Sequence, residues 1–187
     1  MNILIEQLLY FSNWKIILFV GIGLIVFYLF VGIFSNVLLS NSNLFQPHKV
    51  LNSQFNYSPQ KAYDLLNSYD PKEINVLMKF IYPCDFIIAI LYGIFLTIAS
   101  VGIYKNIINS NYLLLIFSYP VIASICNIIE NIQIVHMMQN IDKILFNTIA
   151  KTTNIFTIVK LIVLQGSLVV IIIGLLILLI KKLILIL

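Results

Sequence analysis

Residues 16–39 read IILFVGIGLIVFYLFVGIFSNVLL, 24 consecutive positions without a charged side chain. A hydrocarbon core about 30 Å thick is crossed by about 20 apolar residues in a helix. No water pairs with free backbone N–H and C=O groups there, so a crossing segment is either a helix or a barrel strand. Barrel strands alternate over about 10 residues, whereas this run is continuous, and a helix is expected. The run is also too long for the apolar stretch of a secretory signal, about 7–15 residues. No A-x-A cleavage site follows it, so it is expected to stay as an anchor. Trp14 and Lys15 stand at its start, where an interfacial aromatic and a snorkelling lysine belong. Gly21, Gly23 and Gly32 within it would let a second helix approach closely.

Three similar runs lie further along the chain. Residues 81–104 are interrupted only by Asp85, residues 112–138 hold Glu130 and His136, and residues 154–180 hold Lys160 and are closed by Lys181 and Lys182. The expected fold is all-α: an integral membrane four-helix bundle forming a single domain over residues 1–187. Composition agrees, with 61% hydrophobic and 10% charged residues and a mean hydropathy of +1.04. A soluble domain carries about 25% charged residues. Soluble globular enzymes, disordered tails and nucleic-acid-binding domains are thereby excluded. All 11 basic residues are lysine, so no bidentate fork exists for phosphate or guanine, and the net charge of +4 reads as membrane-surface bias.

Soluble-enzyme chemistry finds no foothold. Cys84 and Cys126 lie far apart, with neither a C-x-x-C pair nor zinc-type Cys/His spacing, and read as small buried hydrophobes. No Ser-His-Asp set, H-E-x-x-H or glycine-rich phosphate motif is present, and neither a metal nor a cofactor is expected. An even number of spans puts both termini on one side. The first and third loops hold slightly more lysines, but Lys15, Lys181 and Lys182 flank spans directly and favour cytoplasmic termini.

The first loop carries its own helix signals. Ser58-Pro59 is an N-cap followed by proline at the first helical position. Ala62, Leu65, Leu66 and Tyr69 then make one apolar stripe. Asp70, Pro71 and Glu73 form a capping box, which Tyr69 and Ile74 can staple. Ile74, Leu77, Met78 and Ile81 continue a second stripe into the next span, with a kink expected at Pro83. Two short amphipathic helices, 59–69 and 71–80, are therefore expected. They could act as a lid over a membrane site or rest apolar side down among the headgroups. Residues 40–49 read as a polar linker.

Topology brings the intramembrane charges together. Asp85 lies four residues into its span from the first-loop end, Glu130 eight residues before its third-loop end, and Lys160 six residues in from that loop. At 1.5 Å per residue, all three sit roughly 6–12 Å below one surface of an up-down bundle. A lone charge at the bilayer centre costs about 2.5–3.5 kcal/mol, so Lys160 should turn inward onto Asp85, Glu130 or both. Ser124, Asn127, Glu130 and Asn131 share one stripe, and Thr153 and Thr157 lie on the Lys160 face. Two acids with one base leave one negative charge over, which would favour protonation of one carboxyl. His136 lies off this stripe and reads as interfacial, and Pro120 is expected to bend the third span.

The polar group Asp85, Asn127, Glu130, Asn131, Thr157 and Lys160 admits three readings: an ion-pair network fixing helix register, a pocket for a lipid-like or small polar ligand, or a proton or ion relay. The relay is weakened because the other half of each span is almost purely apolar.

The motif Phe55-Asn56-Tyr57-Ser58-Pro59, followed by Ala62-Tyr63 and Leu65-Leu66, resembles the first-loop signature of small four-span membrane proteins widespread in bacteria. That family tends to show an early Asp on the second span, D-x-x-E-N on the third and F-T-x-x-K on the fourth. Here these positions are Asp85, Asn127 with Glu130-Asn131, and Phe156-Thr157 with Lys160. The resemblance covers residues 55–165 and implies the topology and the polar cluster. Asn127 replaces the family's usual Asp, which lowers the local negative charge and argues against a carboxylate-pair metal site.

The function expected from sequence is a membrane module that binds a lipid or a partner subunit through the polar cluster. Alternatives are a membrane enzyme using Glu130 or Asp85 as acid/base on a lipid-like substrate, and a structural subunit of a larger membrane complex. Expected partners are the bilayer, a lipid-like ligand or partner membrane subunits, and no nucleic acid.

Overall fold

A computed structural model describes residues 3–39, 50–108, 110–141 and 144–184, and the described residues contain helices and no strand. The linker read at 40–49 and Asp142 of the third loop lie outside them. The helices are α1 (Ile3–Phe11), α2 (Trp14–Leu38), α3 (Pro59–Asn67), α4 (Pro71–Val76), α5 (Tyr82–Tyr104), α6 (Ser110–Gln139) and α7 (Phe146–Ile184), with a 3-10 turn at Leu51–Ser53. Four of the helical stretches are long and apolar enough to cross a membrane. The chain is a four-span, all-helical membrane protein.

The spans alternate in direction. Gly21 on α2 packs against Phe95 and Gly102 on α5 against Ile17, so the start of α2 meets the end of α5. Ser124 Oγ donates to the Ala89 carbonyl (2.8 Å) and Tyr92 Oη to the Ala123 carbonyl (3.0 Å), pairing α5 with α6 in the opposite sense. Tyr104 Oη donates to the Val170 carbonyl (2.8 Å), joining the end of α5 to α7. Three glycines make these crossings possible. A Cβ at Gly93 would lie 2.8 Å from Ser124, at Gly102 2.8 Å from Ile17, and at Gly174 2.5 Å from Ile103. Of the glycines expected to admit a neighbour on α2, only Gly21 does so; Gly23 and Gly32 face open space. Their helix packs chiefly on α5 and leaves Phe19, Ile22, Val26, Leu29 and Ile33 outward, as lipid solvation permits.

The first loop folds onto one end of this bundle. Lys61 N donates to the Ser58 hydroxyl (3.2 Å), starting α3 behind Pro59. Asp70 and Glu73 exchange the two bonds of a capping box, at 2.7 and 2.9 Å. Ala62, Leu66 and Tyr69 are buried in one cluster with Ile134 and Met137 of α6 and Phe146 and Ala150 of α7. Fully burying a Leu- or Phe-sized side chain contributes about 1.5–3 kcal/mol, so α3 is held to the protein rather than spread on the headgroups.

Several helix boundaries differ from expectation, and one helix is new. The second loop helix is not separate, because α4 runs through a π turn at Leu77–Ile81 directly into α5. Pro83 has no N–H and its ring crowds the carbonyl one turn earlier; the wider turn, closed by Tyr82 N–H to the Leu77 carbonyl, accommodates this without ending the helix. The first loop helix ends at Asn67 rather than at residue 69. The fourth span starts at Phe146, two turns before residue 154, because Phe146 and Ala150 are covered by the loop. Finally, α1 was not expected. It ends at Ser12, whose hydroxyl caps the Leu9 carbonyl (2.8 Å), and Asn13 then starts α2 by accepting from Lys15 N–H (3.0 Å). Helix α6 continues through Pro120.

Candidate functional site: a capped intramembrane polar layer

The stripe on α6 faces both neighbours. Its Asn127, Glu130 and Asn131 are buried, and so are Thr153, Thr157 and Lys160 of α7. Asp85, one turn inside α5 beyond the π turn, is half-buried. All six residues of the sequence-derived cluster share one hydrogen-bonded network.

Lys160 forms its ion pair with Glu130, not with Asp85. Its ammonium also donates to Asn127 Oδ1 (3.1 Å) and to the Asn52 carbonyl (3.2 Å), so three acceptors match its three protons. Glu130 is fully buried; its second oxygen accepts from Thr157 Oγ1 at 2.6 Å, and that hydroxyl also lies 3.0 Å from the Thr153 carbonyl. The Glu130–Lys160 pair is electrically neutral and closed on itself.

Asp85 is treated differently. One oxygen, Oδ2, faces three amide donors: Asn131 Nδ2 at 2.7 Å, Asn52 Nδ2 at 3.3 Å and Asn127 Nδ2 at 3.4 Å. Such a donor set suits an ionised oxygen. The other oxygen, Oδ1, has no hydrogen-bond donor among the described residues. Asn127 bridges the two halves, donating to Asp85 and accepting from Lys160, a double role that an aspartate could not fill.

Beside Asp85 lies a cleft of about 280 Å³ between α2 and α5. Tyr28, Val31, Gly32 and Ser35 line one wall, Ile81 and Ile88 the other, and Val50 and Asn52 the loop end. Its polar side chains are Asp85, Asn52, Ser35 and Tyr28, and the rest of its lining is apolar. Glu130 and Lys160 do not line it; they are sealed behind Asn127 and Asn131.

The cap reaches the layer through residues that sequence reasoning did not single out. Asn52 touches both halves, giving its side chain to Asp85 and its carbonyl to Lys160. Asn154 of α7 accepts from Tyr57 N–H (2.9 Å) and donates to Asn56 Oδ1 (3.1 Å). Asn56 has φ 60°, a left-handed conformation that asparagine tolerates better than most residues. Neither Asn52 nor Asn154 belongs to an apolar period or a known spacing, so nothing in the sequence marked them. Tyr57 lies beneath the cap near Thr157 and Glu130, and burial pushes its phenol well above the usual tyrosine range. The hydroxyls of Tyr57 and Tyr82 and the side-chain carbonyl oxygen of Asn131 are buried without a hydrogen-bond partner among the described residues.

Other sequence-noted residues stay apart. His136 is exposed and lines a separate cleft with Tyr82, Pro83 and Phe86. Cys126 is buried, whereas Cys84 is only half-buried, and both are free thiols. Among the described residues no three His, Cys, Asp or Glu side chains converge as a metal site.

Fold and site together define a multi-pass helical membrane protein with a polar layer near one end, roofed by its first loop. Comparison with family models, with curated proteins and with solved structures finds no match to this chain.

Proposed function

We propose that the protein is a membrane module that binds an amphipathic, lipid-like ligand in the cleft between α2 and α5, with the ligand's polar end at Asp85. One observation carries this reading: in a layer where Lys160 and Glu130 are fully engaged, Asp85 keeps an oxygen with no partner among the described residues, beside a mostly apolar cleft. An intramembrane carboxylate left open to such a space is costly without an occupant, which marks it as a functional position. The loop signature and the polar positions support membership of the small four-span family described above. Both termini are read as cytoplasmic, from the lysines that flank the first and last spans.

The test is native mass spectrometry of the purified full chain released from nonionic micelles, wild type against Asp85→Asn. The wild type should retain a co-purified amphiphile that the variant loses while keeping its helical content and melting temperature. Equal retention by both would remove Asp85 from the binding site.

A further inference from the structure

Resting on this binding reading, we propose that the ligand's polar end is a protonated amine on an aliphatic chain, and neither a phosphate nor a neutral alcohol. The balance of donors and acceptors around the cleft argues for it. The layer holds two carboxylates and one ammonium, so it carries one excess negative charge, located at Asp85. All three Lys160 protons are taken by Glu130, Asn127 and Asn52, and among the described residues no lysine lines the cleft to receive an anionic head. The amides of Asn52, Asn127 and Asn131 each turn one N–H to Asp85 Oδ2, so the donors nearest the carboxylate are already directed at it.

What remains beside Asp85 is a surplus of acceptors. Asp85, which lines the cleft, has no donor to its Oδ1 among the described residues. Of the hydroxyls that line the cleft, Ser35 Oγ already donates to the Gly32 carbonyl and the Tyr28 phenol can donate or accept, so neither changes that sign. An ammonium offers several donors and one positive charge, neutralising the layer. The walls made by Val31, Ile81 and Ile88 suit the carbon chain behind it. A phosphate would meet the like charge of Asp85 with no lysine among the described lining residues to offset it, a mismatch that selects against it.

The experiment titrates the full-length protein in nonionic micelles with three probes of equal chain length: dodecylamine, dodecyl phosphate and dodecanol. A fourth probe, ethanolamine, carries the amine without the chain. Binding is read by calorimetry. Dodecylamine should bind at least about tenfold more tightly than the phosphate or the alcohol, as expected for a charge-assisted hydrogen bond. Asp85→Asn should erase that preference. Gly32→Phe, which places a ring in the cleft where a Cβ meets nothing within 4 Å and leaves the polar layer intact, should weaken all three chain-bearing probes alike. Equal affinities for the three heads, or a preference that survives Asp85→Asn, would overturn the amine assignment while leaving the binding module standing. Ethanolamine matching dodecylamine would overturn the requirement for a chain. If none of the four probes binds the wild type, the binding reading itself fails.

Discussion

At the scale of single residues, charge placement decides what each group can do. Lys160 and Glu130 form a buried pair with every hydrogen bond satisfied, and removing one partner of such a pair costs about 3–5 kcal/mol because the other is left unpaired. Glu130→Gln and Lys160→Met should therefore each lower the melting temperature in micelles strongly. The double variant should recover a large part of the loss; strictly additive losses would mean that the pair is not coupled. The residues of this pair were legible from depth arithmetic, since three charges on three spans fell at one level. Which acid Lys160 would choose was not legible, because it depends on Asn127 and Asn52 turning their amides one way. Asn52 left no trace in the sequence at all: a lone polar side chain in a loop has no period to betray it.

At the scale of elements, small residues set the helix crossings and proline sets the junction. Gly174 lies where a Cβ would approach Ile103 to 2.5 Å and Tyr104 to 2.7 Å. Gly174→Leu should destabilise by about 1–3 kcal/mol, the usual cost of overpacking, and should break the Tyr104–Val170 bond. Gly23→Leu, on a face that meets nothing, should change stability little; equal effects of the two would contradict the α5–α7 crossing. The four spans were readable because lipid forces long apolar runs into helices. The break at Pro83 was visible too, but its resolution as a π turn was not, since sequence marks an obstacle without saying how the backbone absorbs it. Helix α1 was missed because nine residues before a stronger span offer little periodicity, and Ser12-Asn13 reads as easily as a tail.

At the scale of the whole molecule, the cap and the bundle form one unit, and its response to alkali follows from the buried phenols. Burial raises the pKa of Tyr57, with the Glu130 charge adding, and burial followed by the Glu73 charge raises that of Tyr69. A group that holds its proton more tightly when folded contributes stability that is complete below its unfolded pKa, about 10 for tyrosine. That contribution falls away as pH rises beyond it. Tyr57→Phe with Tyr69→Phe should shift the midpoint of alkaline unfolding upward, followed by circular dichroism; an unmoved midpoint would place these phenols in solvent.

The same closure makes the two intramembrane acids unequal, Asp85 open to the cleft and Glu130 sealed behind its ion pair. Dicyclohexylcarbodiimide, a membrane-soluble carboxyl reagent, reads that difference in access when the labelled positions are mapped by peptide mass. The architecture predicts label on Asp85, reduced by Gly32→Phe, with Glu130 unmodified. Label on Glu130 equal to or above that on Asp85 would contradict it.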